Sequence, residues 1–497
     1  MGEPVGAFDH FATRERPERS HDVDAVRGFE ISHADSPQVQ ARLEDEKEGM
    51  VGRIGDDKVE NALAELARRN PEEADQARAV FDSLTFGEGV ETVTLYGLQY
   101  WLWYLLPTKW WTDLTEHQQL ATALGALFDL LEMPRYAAAC TSETTKQVLM
   151  AWHQGRDAGF KALEKAMNAS GVQPPDVEEI LTWGRVMGVQ ESDAFQATAA
   201  HLEMAIAVGE FAPGARGWRA DAERITGEFL TSPCAAGEQS RLERIHSERM
   251  EGWARSRGAA RARLTKMIAS RIMSPAPVPE DAEMRLAPVR WLLTLAATDG
   301  GVPLTANHTL ARAVVAEGCR RFGWLTLTGR PRSESDIPEA WTLREFVRQL
   351  GAVRRSKRAL VLTPAGKRLA GADTATLWSA VTAALIPSDP AEGVAAEVIL
   401  MLHLTGGPTG YLERRAAVAE TMAGEGWHDP ASGAPIQVDD VGWLMGAIHR
   451  RLDLLGLLHR QRSLGDPGDH LTDAGRAAAQ AALRARALRP RTDVGSG

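Results

Sequence analysis

The chain has 497 residues, 44% hydrophobic and 25% charged, which suits a globular protein of three to four domains and excludes a disordered or fibrous one. A net charge of −11 argues against a protein that coats nucleic acid over its whole surface. Cys140, Cys234 and Cys319 are odd in number and far apart, which excludes a disulfide framework and a paired-cysteine zinc site and reads as free thiols of a reducing cytoplasm. The N-terminus lacks the apolar core of a signal peptide, and no apolar run reaches membrane-spanning length, so a cytoplasmic protein without a membrane partner is expected.

Taken in chain order, residues 1–55 mix charge, Gly and Pro without period and read as a disordered acidic tail. Residues 56–235 carry helical spacing, as in Val59, Leu63 and Leu66, and read as an all-α domain. Within it, Asp113 and Ser142 are candidate N-caps, Pro107 ends or kinks an aromatic-rich helix, Val177–Met187 is expected to be helical, and Ser192 is expected to cap the helix that follows. Residues 236–280 read as a connector. It is one helix or two in series with Arg255, Arg257, Arg261, Arg263, Lys266 and Arg271, a solvated charged face, and it breaks at the Pro-rich stretch 274–279. Residues 281–387 and 388–488 form two further modules, followed by a tail, 489–497.

These two modules share a phrase. Residues 350–367 read LGAVRRSKRALVLTPAGK and residues 455–476 read LGLLHRQRSLGDPGDHLTDAGR. Each runs from a helix through Leu-Gly, a short apolar and basic strand and a turn to Leu-Thr-x-Ala-Gly and a second helix. Gly351 and Gly456 are placed to end their helices in the left-handed region, Thr363 and Thr472 to cap the next helix, and Gly366 and Gly475 to let that helix approach closely. This is the syntax of a winged helix. The fold expected is therefore mainly α: an N-terminal helical domain, then two winged-helix-like modules with short β-hairpin wings.

Charge gathers in these modules. From Arg344 to Arg368 there are 8 bases against 1 acid, and from Arg450 to Arg491 there are 9 bases against 4 acids, whereas residues 1–80 carry 19 acids against 11 bases. The wing bases Arg354, Arg355, Lys357 and Arg358, the preceding Arg344 and Arg348, and Arg460 and Arg462 of the second module are the candidate nucleic-acid contacts, mainly to phosphate.

No catalytic motif is present: there is no Gly-x-Ser-x-Gly, no phosphate-binding Gly-Lys-Ser/Thr loop and no His-Glu-x-x-His, and the 13 His are scattered, with only His459 and His470 flanking the second wing. No cofactor or metal is expected. The Trp101, Trp103, Trp110 and Trp111 group, with Tyr96, Tyr100 and Tyr104 beside it at a spacing of four, reads first as core packing and second as the lining of a ligand pocket.

The stretch Val302-Pro-Leu-Thr305, Phe322-Gly-Trp324, Leu362-Thr-Pro-Ala-Gly366 and Leu377-Trp378 resembles a segment of uncharacterised actinobacterial proteins, some of which carry it beside plasmid-type domains. The resemblance covers about residues 285–385 and implies a winged-helix-like fold with no assigned activity. The function expected is that of a non-enzymatic DNA-binding or regulatory protein. A protein-interaction scaffold or self-association module is the alternative, and a ligand sensor or enzyme with its site in the helical domain is the third reading.

Overall fold

The computed structural model describes the backbone of residues 52–492 except 179, 236, 256–257, 325–332, 430–431 and 461–467, and the side chains over the same range except 52–56 and 460. Of the tail expected to be disordered over residues 1–55, residues 1–51 lie outside the described residues, as do residues 461–467 of the second module, while residues 52–55 are helical. The chain is mainly helical, and the described residues divide into two compact units, residues 52–248 with 490–492, and residues 249–489. Among the described residues no helix is long and apolar enough to cross a membrane.

The first unit contains α1 (Gly52–Arg69), α2 (Pro71–Thr85), α3 (Leu95–Tyr100), α4 (Leu106–Lys109), α5 (Leu114–Leu130), α6 (Pro134–Thr141), α7 (Glu143–Gln154), α8 (Arg156–Ser170), α9 (Val189–Ala207) and α10 (Trp218–Thr231). Helix α11 (Arg241–Arg255) runs across the division between the units. Local chemistry starts several helices: Asp113 accepts from the Glu116 amide at 2.9 Å, and Ser142 from the Thr145 amide at 3.1 Å. Between α3 and α4 the chain widens into a π-helical turn, Trp101–Leu105. Pro107 has no N–H to give to the Trp103 carbonyl, and the Trp152 indole takes that carbonyl at 2.8 Å. Trp101 and Trp103 are buried core, whereas Trp111 stands 97% exposed.

Two expectations are corrected here. Val177–Met187 is not a helix. Val177 and Leu181 form a single antiparallel bridge, and the Asp176 carboxylate takes the Trp183 amide at 2.9 Å, so side-chain capture replaces the helical ladder. The following helix starts at Val189, ahead of Ser192, because Glu248 supplies its cap from a distant helix, accepting from the Gln190 and Glu191 amides at 3.0 and 3.1 Å.

The second unit contains α12 (Ala259–Met273), α13 (Ala282–Ala296), β1 (Val302–Pro303), α14 (Arg312–Phe322), α15 (Pro338–Gln349), β2 (Val353–Ser356), β3 (Ala359–Leu362), α16 (Pro364–Gly371) and α17 (Thr374–Ala383). It continues with α18 (Pro390–Thr405), α19 (Tyr411–Gly424), α20 (Val438–Leu454), β4 (Leu458–Arg460), β5 (Asp469–Leu471) and α21 (Asp473–Ala487). The strands form an antiparallel sheet of order β1-β3-β2 and a separate pair, β4-β5, beside which Gly410 and Gly468 form a bridge in the place that β1 holds in the first sheet.

Both halves feed one core. Val289, Leu343 and Phe346 belong to the same cluster of buried side chains as Ile399, Leu444, Leu452 and Leu483. Helix α18, buried continuously from Gly393 to Leu402, is its axis, as its apolar sequence on all sides requires. Helix α12 also differs from the expected solvated connector. It packs on α18 and α21 and buries Arg261, Thr265, Ile268 and Ile272. Trp443, on α20, is 41% exposed.

The repeated phrase folds the same way twice, bond for bond. Gly351 and Gly456 have φ of 65° and 61°, and their amides reach back to Arg348 and Asp453 carbonyls, each at 2.9 Å. The Thr363 and Thr472 amides donate to the Ala352 and Leu457 carbonyls, each at 3.0 Å, and their hydroxyls accept from the Gly366 and Gly475 amides at 3.0 and 2.9 Å. A Cβ on Gly366 would lie 1.8 Å from the Ala352 oxygen, and one on Gly475 would lie 2.1 Å from the Leu457 oxygen.

Candidate functional site

Strands β2 and β3 form a hairpin in which Arg354 faces Val361 and Arg355 faces Leu360, closed by the two-residue turn Lys357-Arg358. Val353 and Leu360 anchor it in the core, while Arg354, Arg355, Lys357 and Arg358 are all exposed. None of these four cations makes an ion pair among the described residues. Lys357 sits at φ 53°, a left-handed conformation in which a residue with a Cβ costs about 1–2 kcal/mol against glycine. The turn therefore holds a charged side chain where glycine would be less strained, and such outliers cluster at functional sites.

The structure separates these four from the other predicted contacts. Arg344 is only 13% exposed and is neutralised by Glu334 at 2.8 Å and Glu345 at 2.7 Å, so it is a structural ion pair and not a phosphate contact. Glu334, 1% exposed, also accepts from the Leu310 amide at 3.3 Å. Arg348 is half exposed and pairs with Glu345 at 2.8 Å. In the second hairpin Arg460 stands opposite Asp469, and Arg462 lies outside the described residues.

Helix α15, the one that would enter a groove, packs against its counterpart α20, and the Arg450 guanidinium lies 5.0 Å over the Trp341 ring. Its outward face is correspondingly small, with Pro338 and Arg348 as its only exposed residues.

His459 and His470 face each other across β4-β5. Among the described residues no group of three or more His, Cys, Asp or Glu is placed to hold a metal ion. Behind that hairpin, burial pulls the pKa of His403 down from 6.5 to about 3, helped by the charge of Arg414 and by His449 and His470. The fold thus holds His403 neutral, and the unfolded chain protonates it first on acidification. The stability this contributes is complete above about pH 6.5 and is lost as pH falls toward 3, by at most about 1.4 kcal/mol per pH unit. His403→Leu is expected to flatten the stability profile over that window in urea unfolding. An unchanged acid limb would mean that His403 does not carry it.

The first unit holds a cavity of about 630 Å³. Tyr96, Tyr100 and Tyr104 form one wall, Phe160, Phe195 and Trp183 close it, and the irregular loop through Pro174 and Asp176 gives it depth. Pro490 and Thr492 also line it, held there by the Arg491 carbonyl, which accepts from the Arg185 amide at 2.8 Å. The tyrosine ladder was visible as a spacing of four; the loop and the C-terminal strap had no sequence signal.

A family model described as the Y4jL N-terminal domain matches residues 284–375, from within α13 through the β2-β3 hairpin to the start of α17. No curated protein and no solved structure matches the chain.

Proposed function

We propose that the chain is a non-enzymatic nucleic-acid-binding or regulatory protein that grips the phosphate backbone with the β2-β3 hairpin. The order helix, strand, helix, helix, two-stranded hairpin, from α13 to β3, with a sheet of order β1-β3-β2, supports reading residues 282–362 as a winged helix. The chain from α18 to α21 repeats that order, with the Gly410–Gly468 bridge in the place of the first strand. The observation that carries the reading is the cluster of four exposed wing cations with no acidic partner among the described residues, one of them in a strained turn. Because α15 is engaged with α20, the contact proposed is to phosphate and not to base edges, and binding is expected to be indifferent to sequence.

Four phosphate contacts predict a slope of log K against log salt of about −3 to −4 on duplex DNA. Changing Arg354, Arg355, Lys357 and Arg358 together to Ala is expected to abolish that slope while leaving the helical circular dichroism intact. Absence of binding by the unaltered protein at low salt would overturn the reading.

The α15-α20 packing favours a second reading, in which winged helices of this kind serve protein contact and the chain is a scaffold. A stable dimer or higher assembly in light scattering, unchanged by the wing substitutions and without DNA binding, would favour it.

A further inference from the structure

We propose that the cavity of the helical unit is a binding site for a small organic cation with an aromatic body and a hydrogen-bond acceptor. Its volume of about 630 Å³ lies within the range of small-molecule sites. Its walls are aromatic: the Tyr100 and Tyr104 rings lie 5.2 Å apart, Tyr104 and Phe160 6.2 Å apart, and Trp183 meets Phe195 edge-on at 5.1 Å. Aromatic faces attract cations through the ring quadrupole, most strongly where water is excluded.

The rim has the complementary sign. Glu164, Asp176 and Glu223 line the opening against the single base Arg185. Glu164 and Glu223 are exposed and make no ion pair among the described residues, so their charge is available to a ligand.

A hydroxyl that opens on the cavity supplies the third feature. Tyr96 is 4% exposed, lines the cavity, and its hydroxyl makes no hydrogen bond among the described residues. Burial raises its pKa well above the ordinary tyrosine value, so it is a neutral O–H donor. The Tyr96 oxygen is open to the cavity, and an acceptor on a bound molecule would take the place of water there.

Benzoylcholine joins a quaternary ammonium, an ester oxygen and a phenyl ring, and 3,3-dimethylbutyl benzoate is its uncharged isostere. Calorimetric titration of the full chain is expected to give saturable one-to-one binding of benzoylcholine, about tenfold tighter than the isostere. Tyr104→Ala is expected to weaken it about tenfold. Glu223→Gln combined with Glu164→Gln, both at exposed positions that the fold does not need, is expected to erase most of the preference for the cation. Equal affinity for cation and isostere, no saturable binding, or binding insensitive to the glutamate pair would each overturn the proposal. None of these outcomes depends on whether the wing binds DNA.

Discussion

Glu397→Ala is expected to destabilise the 249–489 unit by about 3–5 kcal/mol, the cost of removing one partner of a buried ion pair. Glu397 is fully buried at the centre of α18 and accepts from the Trp253 indole at 2.9 Å and the Arg261 guanidinium at 3.1 Å, with Arg486 3.4 Å away. Arg261 is itself 1% exposed, and its other partner is Glu425 at 2.9 Å. Burial opposes its charge, but Glu397 and Glu425 outweigh that and raise its pKa, so it stays protonated in the core. Deleting the carboxylate therefore leaves a buried charge that cannot be shed with Glu425 as its remaining partner. A loss of that size is a large share of a domain's usual 5–15 kcal/mol, so the urea midpoint of this unit should fall sharply while that of the helical unit stays in place. The double variant Arg261→Met with Glu397→Leu is expected to recover most of the loss, because the desolvation cost of both charges disappears together. A single-variant loss below about 1 kcal/mol would show that water reaches the site.

The second large effect comes from glycines that look alike in sequence. Gly366→Ala and Gly475→Ala should each cost at least about 3 kcal/mol, above the usual range for overpacking, because the added methyl meets a carbonyl oxygen of the chain itself. At Gly366 the obstruction is the Ala352 oxygen, the same atom that takes the Thr363 amide, so relief pulls on the helix cap. Gly351→Ala, at the residue before Ala352, should cost only about 1–2 kcal/mol. Nothing lies within 4 Å of its Cβ position, and only the left-handed φ of 65° resists the change. Thermal melting of the three variants, in the order Gly366 and Gly475 well below Gly351, tests the assignment; equal losses at Gly351 and Gly366 would refute it.

The contrast between these sites marks what was readable. Local rules act over a few residues, and they were legible: the Thr363 and Thr472 caps, the left-handed glycines, the Asp113 and Ser142 caps, and the mainly helical class all follow from side chains near the backbone groups they serve. The basic hairpin was legible too, since Arg354, Arg355, Lys357 and Arg358 crowd into one short stretch flanked by apolar residues. Long-range pairing was not. Arg261 read as solvated charge and Arg344 as a phosphate contact, and only the fold brings Glu397, Glu425 and Glu334 against them. Glu248 caps α9 from 58 positions away, displacing the expected Ser192 cap.

The cavity divides in the same way. The tyrosine ladder follows from a spacing of four on a helix, but a wall is not a cavity. The enclosure depends on a loop held by the Asp176 carboxylate and on residues 490–492 returning from the far end of the chain. By itself the sequence determined most of the helices, many of their caps and the repeated helix-hairpin-helix phrase, because hydrogen bonds and backbone conformations there are set by neighbours. Tertiary structure alone decided which charges are spent inside the protein and which remain exposed, because the worth of a charge depends on what the folded chain places beside it and how much water it leaves.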